Sequence, residues 1–241
     1  MSRLADCTET PRAFRHELKY IISTVEKEQL RSRLSGMLQQ DSNAQPDGIY
    51  KIRSLYFDDY WNNAYYDKLK GINSRYKYRI RIYNDSDRVI HLERKIKQGN
   101  YIAKESARLS KNMVVSIMRG EYQPLLRDEQ ELCRKFYYAC TTELYRPRVM
   151  VDYEREPYIY PAGDVRITFD TNVRAGLWNL NLFDDKLPTI NVLDPDLLIL
   201  EVKYTELLPS FIQAALPIHS GAPMAVSKYV LGCDRTIYAA R

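Results

Sequence analysis

The chain reads Arg75-Tyr76-Lys77-Tyr78-Arg79-Ile80-Arg81-Ile82-Tyr83 about one third of the way along, and this stretch decides the fold. Basic and apolar residues alternate strictly, which is the pattern of a β-strand whose successive side chains point to opposite faces. One face of the strand would be apolar, and the other would carry four like charges in a row. Because like charges on one strand face repel one another, the basic face needs solvent or an anion opposite it.

The same alternation of polar and apolar residues returns in five other predicted strands. Strands of an ordinary antiparallel sheet with one solvent-exposed face also alternate in this way, so a solvated outer face stays an alternative. The charged faces are rich in arginine, whose planar donors suit phosphate oxygens, and glutamates interrupt them. A barrel lined in this way would hold a polyanion with one or two hard metal ions. The positions in question are 15, 17 and 19; 51 and 53; 91, 93 and 95; 164, 166, 168 and 170; and 201 and 203.

The pattern as a whole predicts one domain over residues 13–241 that follows a flexible N-terminus over residues 1–12. Helices are expected at 24–38, 112–120 and 124–145 and again beyond residue 209, while 173–195 reads as irregular. Strands are expected at 14–22, 50–57, 75–83, 89–96, 101–109, 147–153, 164–171 and 197–204.

Composition limits the possible partners of the chain. It has 241 residues, of which 28% are charged, and a formal net charge of +5. This charge suits an anionic ligand but is too small to demand nucleic acid. The basic residues are also spread over several strands and interleaved with glutamates, instead of being gathered on one helix that could read bases. We therefore predict no nucleic-acid partner.

Neither a signal peptide nor a membrane span is predicted. Residues 1–11 are polar and charged without an apolar core, and no apolar run approaches the roughly 20 residues of a membrane-spanning helix. The four cysteines, at positions 7, 133, 140 and 233, form no Cys-x-x-Cys pair, so free thiols are expected. We predict a cytoplasmic protein with no membrane segment in this chain.

Six short motifs follow one another in a fixed order along the chain. Together they resemble the VTC domain, which is the polyphosphate polymerase domain of the vacuolar transporter chaperone complex, within the triphosphate tunnel metalloenzyme (CYTH-like) superfamily. The resemblance extends over residues 13–233 and implies an α+β fold. That fold is a closed antiparallel β-barrel tunnel of about eight strands, with helices packed outside. The motifs are Glu17-Leu18-Lys19, Lys77-Tyr78-Arg79-Ile80-Arg81, Leu92-Glu93-Arg94-Lys95, Val165-Arg166-Ile167-Thr168-Phe169-Asp170, Leu200-Glu201-Val202-Lys203 and Ser227-Lys228-Tyr229.

The resemblance implies that the γ-phosphate of ATP is transferred to an inorganic polyphosphate chain in the presence of Mn²⁺ or Mg²⁺. ATP and polyphosphate are then the expected partners. The residues with implied catalytic roles are Lys19, Arg79, Arg81, Lys95, Arg166 and Glu201. Phosphate would be bound by Lys19, Lys77, Arg79, Arg81, Lys95, Lys104, Arg155, Arg166, Lys203 and Lys228. Glu201, with Glu17 and Glu93, would bind the metal; Glu17 and Glu93 could instead hold neighbouring Lys and Arg side chains in place.

One motif departs from the wider superfamily. Hydrolytic members begin with Glu-x-Glu-x-Lys, whereas this chain reads Arg15-His16-Glu17-Leu18-Lys19. An arginine therefore replaces a carboxylate that could help to hold metal or activate water. We interpret this change as favouring polymer handling over hydrolysis of triphosphate.

Two alternatives to a polymerase stay open at this point. The same tunnel could hydrolyse triphosphate or nucleoside triphosphates, or it could bind polyphosphate without catalysis. Trp61 and Trp178 are candidates to flank a tunnel mouth and stack on a nucleobase. The three histidines, at positions 16, 91 and 219, are scattered, and we expect no catalytic role for them.

Overall fold

The computed structural model describes residues 15–42, 44–99, 101–216 and 225–239, with side chains up to residue 236. The N-terminus predicted to be flexible, over residues 1–12, lies outside the described residues. All eight predicted strands are present, and two short strands join them. The ten are β1 (His16–Ser23), β2 (Gln39–Gln40), β3 (Tyr50–Asp58), β4 (Ser74–Tyr83), β5 (Ser86–Gln98), β6 (Tyr101–Leu109), β7 (Arg146–Tyr160), β8 (Val165–Gly176), β9 (Thr189–Asn191) and β10 (Leu197–Tyr204).

Seven α-helices lie among the described residues. Ser23 caps the first of them through a capping box, in which its hydroxyl accepts from the Glu26 amide at 3.2 Å and its own amide donates to the Glu26 carboxylate at 2.7 Å. The helices are α1 (Thr24–Leu34), α2 (Asn63–Leu69), α3 (Lys111–Met118), α4 (Gln123–Leu126), α5 (Glu131–Thr142), α6 (Ser210–Ala215) and α7 (Lys228–Ala239). None of these helices is long and apolar enough to cross a membrane.

One of the predicted helices needs correction. The helix expected at 124–145 is divided into α4 and α5, because the Asp128 carboxylate accepts a hydrogen bond from the Gln130 amide at 2.8 Å and turns the chain between them. The helical region expected beyond residue 209 contains α6 and α7, with residues 217–224 outside the described ranges. The three described cysteines are buried and form no disulfide, as predicted.

The strands form one antiparallel sheet in the order β1-β10-β8-β7-β3-β4-β5-β6, with β2 beside β7 and β9 beside β8. The two edges of this order meet where Arg15 and Ile102 exchange both backbone hydrogen bonds, each at 3.0 Å. Among the described residues, no further β-ladder pairing between β1 and β6 extends from that bridge. A sheet closed by continuous hydrogen bonds, which the sequence led us to expect, is therefore not observed. Beyond the bridge the two edge strands are in contact through side chains, since the rings of His16 of β1 and Tyr101 of β6 lie at a centroid distance of 5.2 Å. Lys95 of the next strand, β5, also contacts Glu17 of β1 at 2.6 Å.

Apolar residues form three clusters, two on the outer face of the curled sheet and one on its inner face. One cluster lies between the outer face of β3–β6 and helices α3–α5, and a second lies between the outer face of β1, β10, β8 and β7 and helices α1 and α6. The third cluster lies on the inner face, where Tyr229, Val230 and Cys233 of α7 pack against β3, β7 and β8. Gly232 permits this close approach, because a Cβ there would lie 3.0 Å from Val151 Cγ2.

A bulge in β8 decides which of its residues face inward. Asn172 has the left-handed φ of 49° that asparagine tolerates, and the pairing of β7 with β8 shifts register beside it. Before the bulge, Arg166 and Asp170 lie on the inner face, whereas after it the small apolar residues Val173 and Ala175 do. The bulge therefore divides the interior into a polar part and an apolar part against which α7 packs.

Candidate functional site

The polar part of the interior contains two adjoining cavities, of about 680 Å³ and about 380 Å³. The larger reaches Tyr83 at the end of β4, and the smaller reaches Arg75 at the start of the same strand. The two cavities therefore lie one after the other along β4, and we call the pair the passage. Seven residues line both of them: Glu17, Arg79, Arg81, Lys95, Ile102, Arg155 and Lys203.

All ten cations that the sequence suggested for phosphate binding line the passage. They reach it because alternate residues of a strand point to the same face, so the charged face of each strand turns inward together. β1, β4, β5, β6, β7, β8 and β10 each contribute at least one cation, and α7 contributes another. The ten are Lys19, Lys77, Arg79, Arg81, Lys95, Lys104, Arg155, Arg166, Lys203 and Lys228.

Glu17 and Glu201 join neighbouring strands across the wall of the passage. Lys19 contacts Glu17 at 2.9 Å and Glu201 at 3.5 Å, while Lys95 approaches Glu17 at 2.6 Å and Lys203 also pairs with Glu201. Burial and the charge of Glu201 oppose ionisation of Glu17, but Lys19 and Lys95 outweigh them and hold its pKa well below the usual range. Both carboxylates are thus ionised and surrounded by lysines.

Glu93 lies on the inner face of β5, beneath the cations that line the passage, and is 1% exposed. It lines neither cavity. Its carboxylate accepts from Arg79 at 2.7 Å and from Lys104 at 2.8 Å, and Arg81 lies 3.6 Å away. Burial opposes its charge, but Arg79 and Arg81 lower its pKa well below the usual range. Of the two roles that the sequence left open for Glu93, this geometry favours holding three cations in place.

Sequence reasoning missed the groups that orient the other arginines. Asp170 is fully buried and binds Arg155 through two contacts of 2.6 and 2.7 Å and Lys228 at 2.5 Å. The Tyr56 hydroxyl accepts from Arg79 at 3.1 Å, and the Tyr153 hydroxyl accepts from Arg81 at 3.1 Å. Asp170 could have been found, because it shares a strand face with Arg166. The two tyrosines gave no signal in a chain that contains 20 of them.

Arg166 occupies the rim of the larger cavity. Its guanidinium contacts Asp41 at 2.7 Å and donates to the Tyr50 hydroxyl at 2.9 Å. Asp41 belongs to the loop after β2, so no strand pattern could have assigned it to this rim. Arg166 therefore stands at an opening of the passage with its side chain already fixed.

Several other residues considered in the sequence lie away from the passage. Arg53 points outward, where it pairs with Asp152 at 2.9 Å. Trp61 and Trp178 are 70% and 79% exposed and line neither cavity, so the expected position beside a tunnel mouth is not observed. His16 borders the larger cavity, with its ring stacked on Tyr204 at a centroid distance of 4.9 Å. His219 lies outside the described residues.

Arg15, which replaces the first glutamate of the superfamily motif, lines the larger cavity. It contacts Asp164 at 3.3 Å, and its backbone makes the bridge to Ile102. The substitution therefore places a cation, instead of a carboxylate, at this end of the passage.

The donor set fits a divalent metal only in combination with a phosphate ligand. Among the described residues no three His, Cys, Asp or Glu side chains lie together as a ready-made metal site. Glu17 and Glu201 approach each other closely enough to share Lys19, and together they could supply two carboxylate ligands. Mg²⁺ commonly takes one or two carboxylates and completes its shell with water and substrate phosphates. The two glutamates fit that arrangement.

The fold is thus a curled antiparallel sheet around an interior passage that ten basic side chains line. The chain belongs to the VTC domain family, since the family model matches residues 14–237. The resemblance drawn from the sequence is thereby confirmed, and the fold fits the triphosphate tunnel superfamily.

Solved structures agree on the fold. HpAC1 from Hippeastrum, a proposed adenylyl cyclase for which a dominant triphosphatase activity is described, is 12% identical, with 92% of this chain and 96% of that chain covered and a TM-score of 0.54. A protein from Bacillus halodurans, proposed to be an adenylate cyclase, is 12% identical with 85% and 86% covered and a TM-score of 0.49. No curated protein matches the chain. The family match and the fold shared with HpAC1 fit a triphosphate tunnel fold.

Proposed function

We propose that this protein is a cytoplasmic, metal-dependent polyphosphate polymerase that transfers the γ-phosphate of ATP to an inorganic polyphosphate chain in the passage. The observation that carries the proposal is the set of ten cations along two adjoining cavities. Five carboxylates contact these cations, namely Glu17, Asp41, Glu93, Asp170 and Glu201. The ten basic side chains outnumber these five carboxylates two to one, which suits a ligand with several negative charges.

Phosphoryl transfer requires little of a protein beyond positioning the reacting phosphates and stabilising their negative charge. Arg79 and Arg81 are held from both sides by Glu93 and by tyrosine hydroxyls, so their donors face the passage without reorganisation. Arg155 and Lys228 are fixed in the same way by Asp170. A triphosphate between these groups would have its transferring phosphate oriented and its developing charge offset.

Proteins of this family generally depend on a divalent metal. Glu17 and Glu201 are the residues that would hold the ion here. When bound, the metal would neutralise phosphate charge and help to align the triphosphate. The lysines around these glutamates would then be released to contact phosphate oxygens.

The arrangement favours a polymerase over the alternative hydrolase. A polymer needs a binding path that continues past the triphosphate, and the two cavities follow one another along β4. Arg15 also supplies a cation where hydrolytic relatives carry a carboxylate that could activate water. These two features support chain growth in the passage.

The test is to incubate the purified protein with ATP and either Mn²⁺ or Mg²⁺ and to measure polyphosphate on stained gels together with free orthophosphate. We expect long chains from the wild type and none from Lys19→Ala or Glu201→Ala. Lys111→Ala is the matched control, because Lys111 pairs with Asp87 on the outer surface. Orthophosphate without polymer would instead identify a hydrolase, and polyphosphate binding without either product would identify a binding module.

Phosphate binding is expected to take up protons at pH 8. Burial lowers the pKa of Lys95 to about 7, so its amine is largely neutral at pH 8 before a ligand arrives. An anion beside the amine favours its charged form and raises that pKa. Titration calorimetry of tripolyphosphate in buffers of different ionisation enthalpy should show greater proton uptake by the wild type than by Lys95→Met. Equal proton uptake by the two proteins would contradict this assignment.

A further inference from the structure

Thr168 of β8 carries a buried hydroxyl that no group in the described part of the chain binds. The residue is 1% exposed, and its Oγ1 has no hydrogen-bond partner among the described residues. Thr168 lies on the inner face of β8, because Arg166 two residues before it and Asp170 two residues after it both lie on that face. The roles assigned above to the inward side chains do not include this hydroxyl.

The unpaired hydroxyl of Thr168 is unfavourable in the free protein. A buried hydroxyl without a hydrogen bond has lost its bonds to water and gained none in return. Valine is β-branched like threonine and would place a methyl group there at no such cost. A hydroxyl at this position therefore indicates a second state of the site, in which an acceptor comes within its reach.

Glu201 is the acceptor that the sheet topology offers to Thr168. The two residues lie directly opposite each other in the pairing of β8 with β10, so their Cβ atoms are about 4.5–5.5 Å apart. On the other side β7 presents Pro157, whose side chain has no acceptor. Asp170 shares the strand face, but both of its carboxylate oxygens already accept from Arg155, at 2.6 and 2.7 Å.

Thr168 lies behind Glu201 as seen from the passage. It lines neither cavity, whereas Glu201 lines the smaller one, so the hydroxyl does not reach a phosphate ligand directly. In the free protein the Glu201 carboxylate pairs with Lys203 and lies 3.5 Å from Lys19. Under the proposed function these lysines are released to phosphate. The carboxylate then loses two donors, and the hydroxyl behind it can take the place of one.

We propose that Thr168 is a positioning residue for Glu201, whose carboxylate accepts a hydrogen bond from the Thr168 hydroxyl when a divalent metal and a phosphate ligand occupy the passage. The inference deepens the proposed function and rests on it, because it takes Glu201 to be a metal ligand. Hydrogen-bond partners of a metal-binding carboxylate orient it, and their removal typically weakens metal binding by about 10–100-fold. Thr168 acts through Glu201 and touches no reacting atom.

The test measures the affinity for tripolyphosphate by titration calorimetry, once with excess Mn²⁺ and once with EDTA, together with thermal unfolding of the ligand-free protein. Thr168→Val removes the hydroxyl at nearly constant shape, and Thr168→Ser retains it. Thr171→Val is the matched control, because Thr171 belongs to the same strand, lies on its other face and lines neither cavity. Thr168→Ala replaces the valine variant if that protein does not fold.

We expect Mn²⁺ to raise the affinity of the wild type for tripolyphosphate, and Thr168→Val to lose about tenfold or more of the affinity measured with Mn²⁺. With EDTA the valine variant should bind like the wild type, because the hydroxyl does not reach phosphate. Thr168→Ser and Thr171→Val should bind like the wild type in both conditions. Ligand-free Thr168→Val should unfold at the wild-type temperature or above it, because no hydrogen bond is lost.

The possible failures can be told apart. Wild-type protein that binds no tripolyphosphate in either condition would overturn the proposed function itself. Equal wild-type affinity with Mn²⁺ and with EDTA would overturn the metal site and, with it, the role of Thr168.

Three results would overturn the role of Thr168 alone. The first is wild-type affinity of Thr168→Val in the presence of Mn²⁺. The second is an equal loss of affinity with Mn²⁺ and with EDTA, which would identify a packing role. The third is a lower unfolding temperature of ligand-free Thr168→Val, which would show that the hydroxyl is already bonded, for example to a buried water molecule, before any ligand binds.

Discussion

Replacing Arg81 with alanine is expected to lower the rate of polyphosphate synthesis from ATP by about 10²–10³-fold, the usual cost of removing one preorganised donor from a developing negative charge. Arg81 is 6% exposed and lies at the junction of the two cavities. It donates to the Ser54 hydroxyl at 3.2 Å and to the Tyr153 hydroxyl at 3.1 Å. Initial rates with saturating ATP and metal measure the effect.

Two further variants test whether the loss of rate is specific to the Arg81 guanidinium. Arg94 lies on the outer face of the neighbouring strand β5, where it stacks on the Tyr76 ring at 4.3 Å, so Arg94→Ala should leave the rate nearly unchanged. Arg81→Lys keeps the charge but not the paired donors of the guanidinium, and it should recover only part of the activity. A wild-type rate for Arg81→Ala, in protein that unfolds at the normal temperature, would remove Arg81 from the mechanism.

Replacing Asp170 with alanine is expected to reduce the free energy of unfolding by about 3–5 kcal/mol, the usual cost of leaving a buried partner charge uncompensated. Asp170 is 0% exposed and neutralises both Arg155 and Lys228. Because these cations face the passage, a bound anion can supply the missing negative charge. Urea unfolding should therefore show that saturating tripolyphosphate stabilises the variant more than the wild type.

Asp152→Ala provides the matched control for Asp170→Ala. Asp152 also pairs with a buried arginine, Arg53, but that pair lies on the outer face of the sheet. Its loss should destabilise the protein, while tripolyphosphate should stabilise this variant no more than the wild type. An equal response of the two variants to tripolyphosphate would show that Asp170 does not face the ligand site.

The strands and their inward cations could be predicted because both depend on a local property, the period-two alternation of each strand. Lys77, Arg79 and Arg81 reach the passage for the same reason that Tyr78 and Ile80 reach the outer core. The family resemblance added the expectation that these charged faces line one tunnel. Together these signals were enough to bring the predicted cations to one place.

The groups that orient those cations could not be predicted in the same way, because they depend on contacts between distant elements. Asp41 reaches Arg166 from a loop, and Tyr56 reaches Arg79 from the adjacent strand β3. The joining of the sheet edges depends on one backbone bridge at Arg15, which no alternation could locate. The exposed position of Trp61 likewise follows from the turn before α2 and from no property of tryptophan itself.

A crystal structure of the protein with tripolyphosphate bound would test the central claim most directly. We predict phosphate density in the passage, within hydrogen-bond distance of Arg79 and Arg81 on one side and of Lys19 and Arg155 on the other. Density only at outer cations such as Lys111 or Arg94, with the passage free of phosphate at a saturating concentration, would contradict the assignment of this interior as the phosphate-binding site.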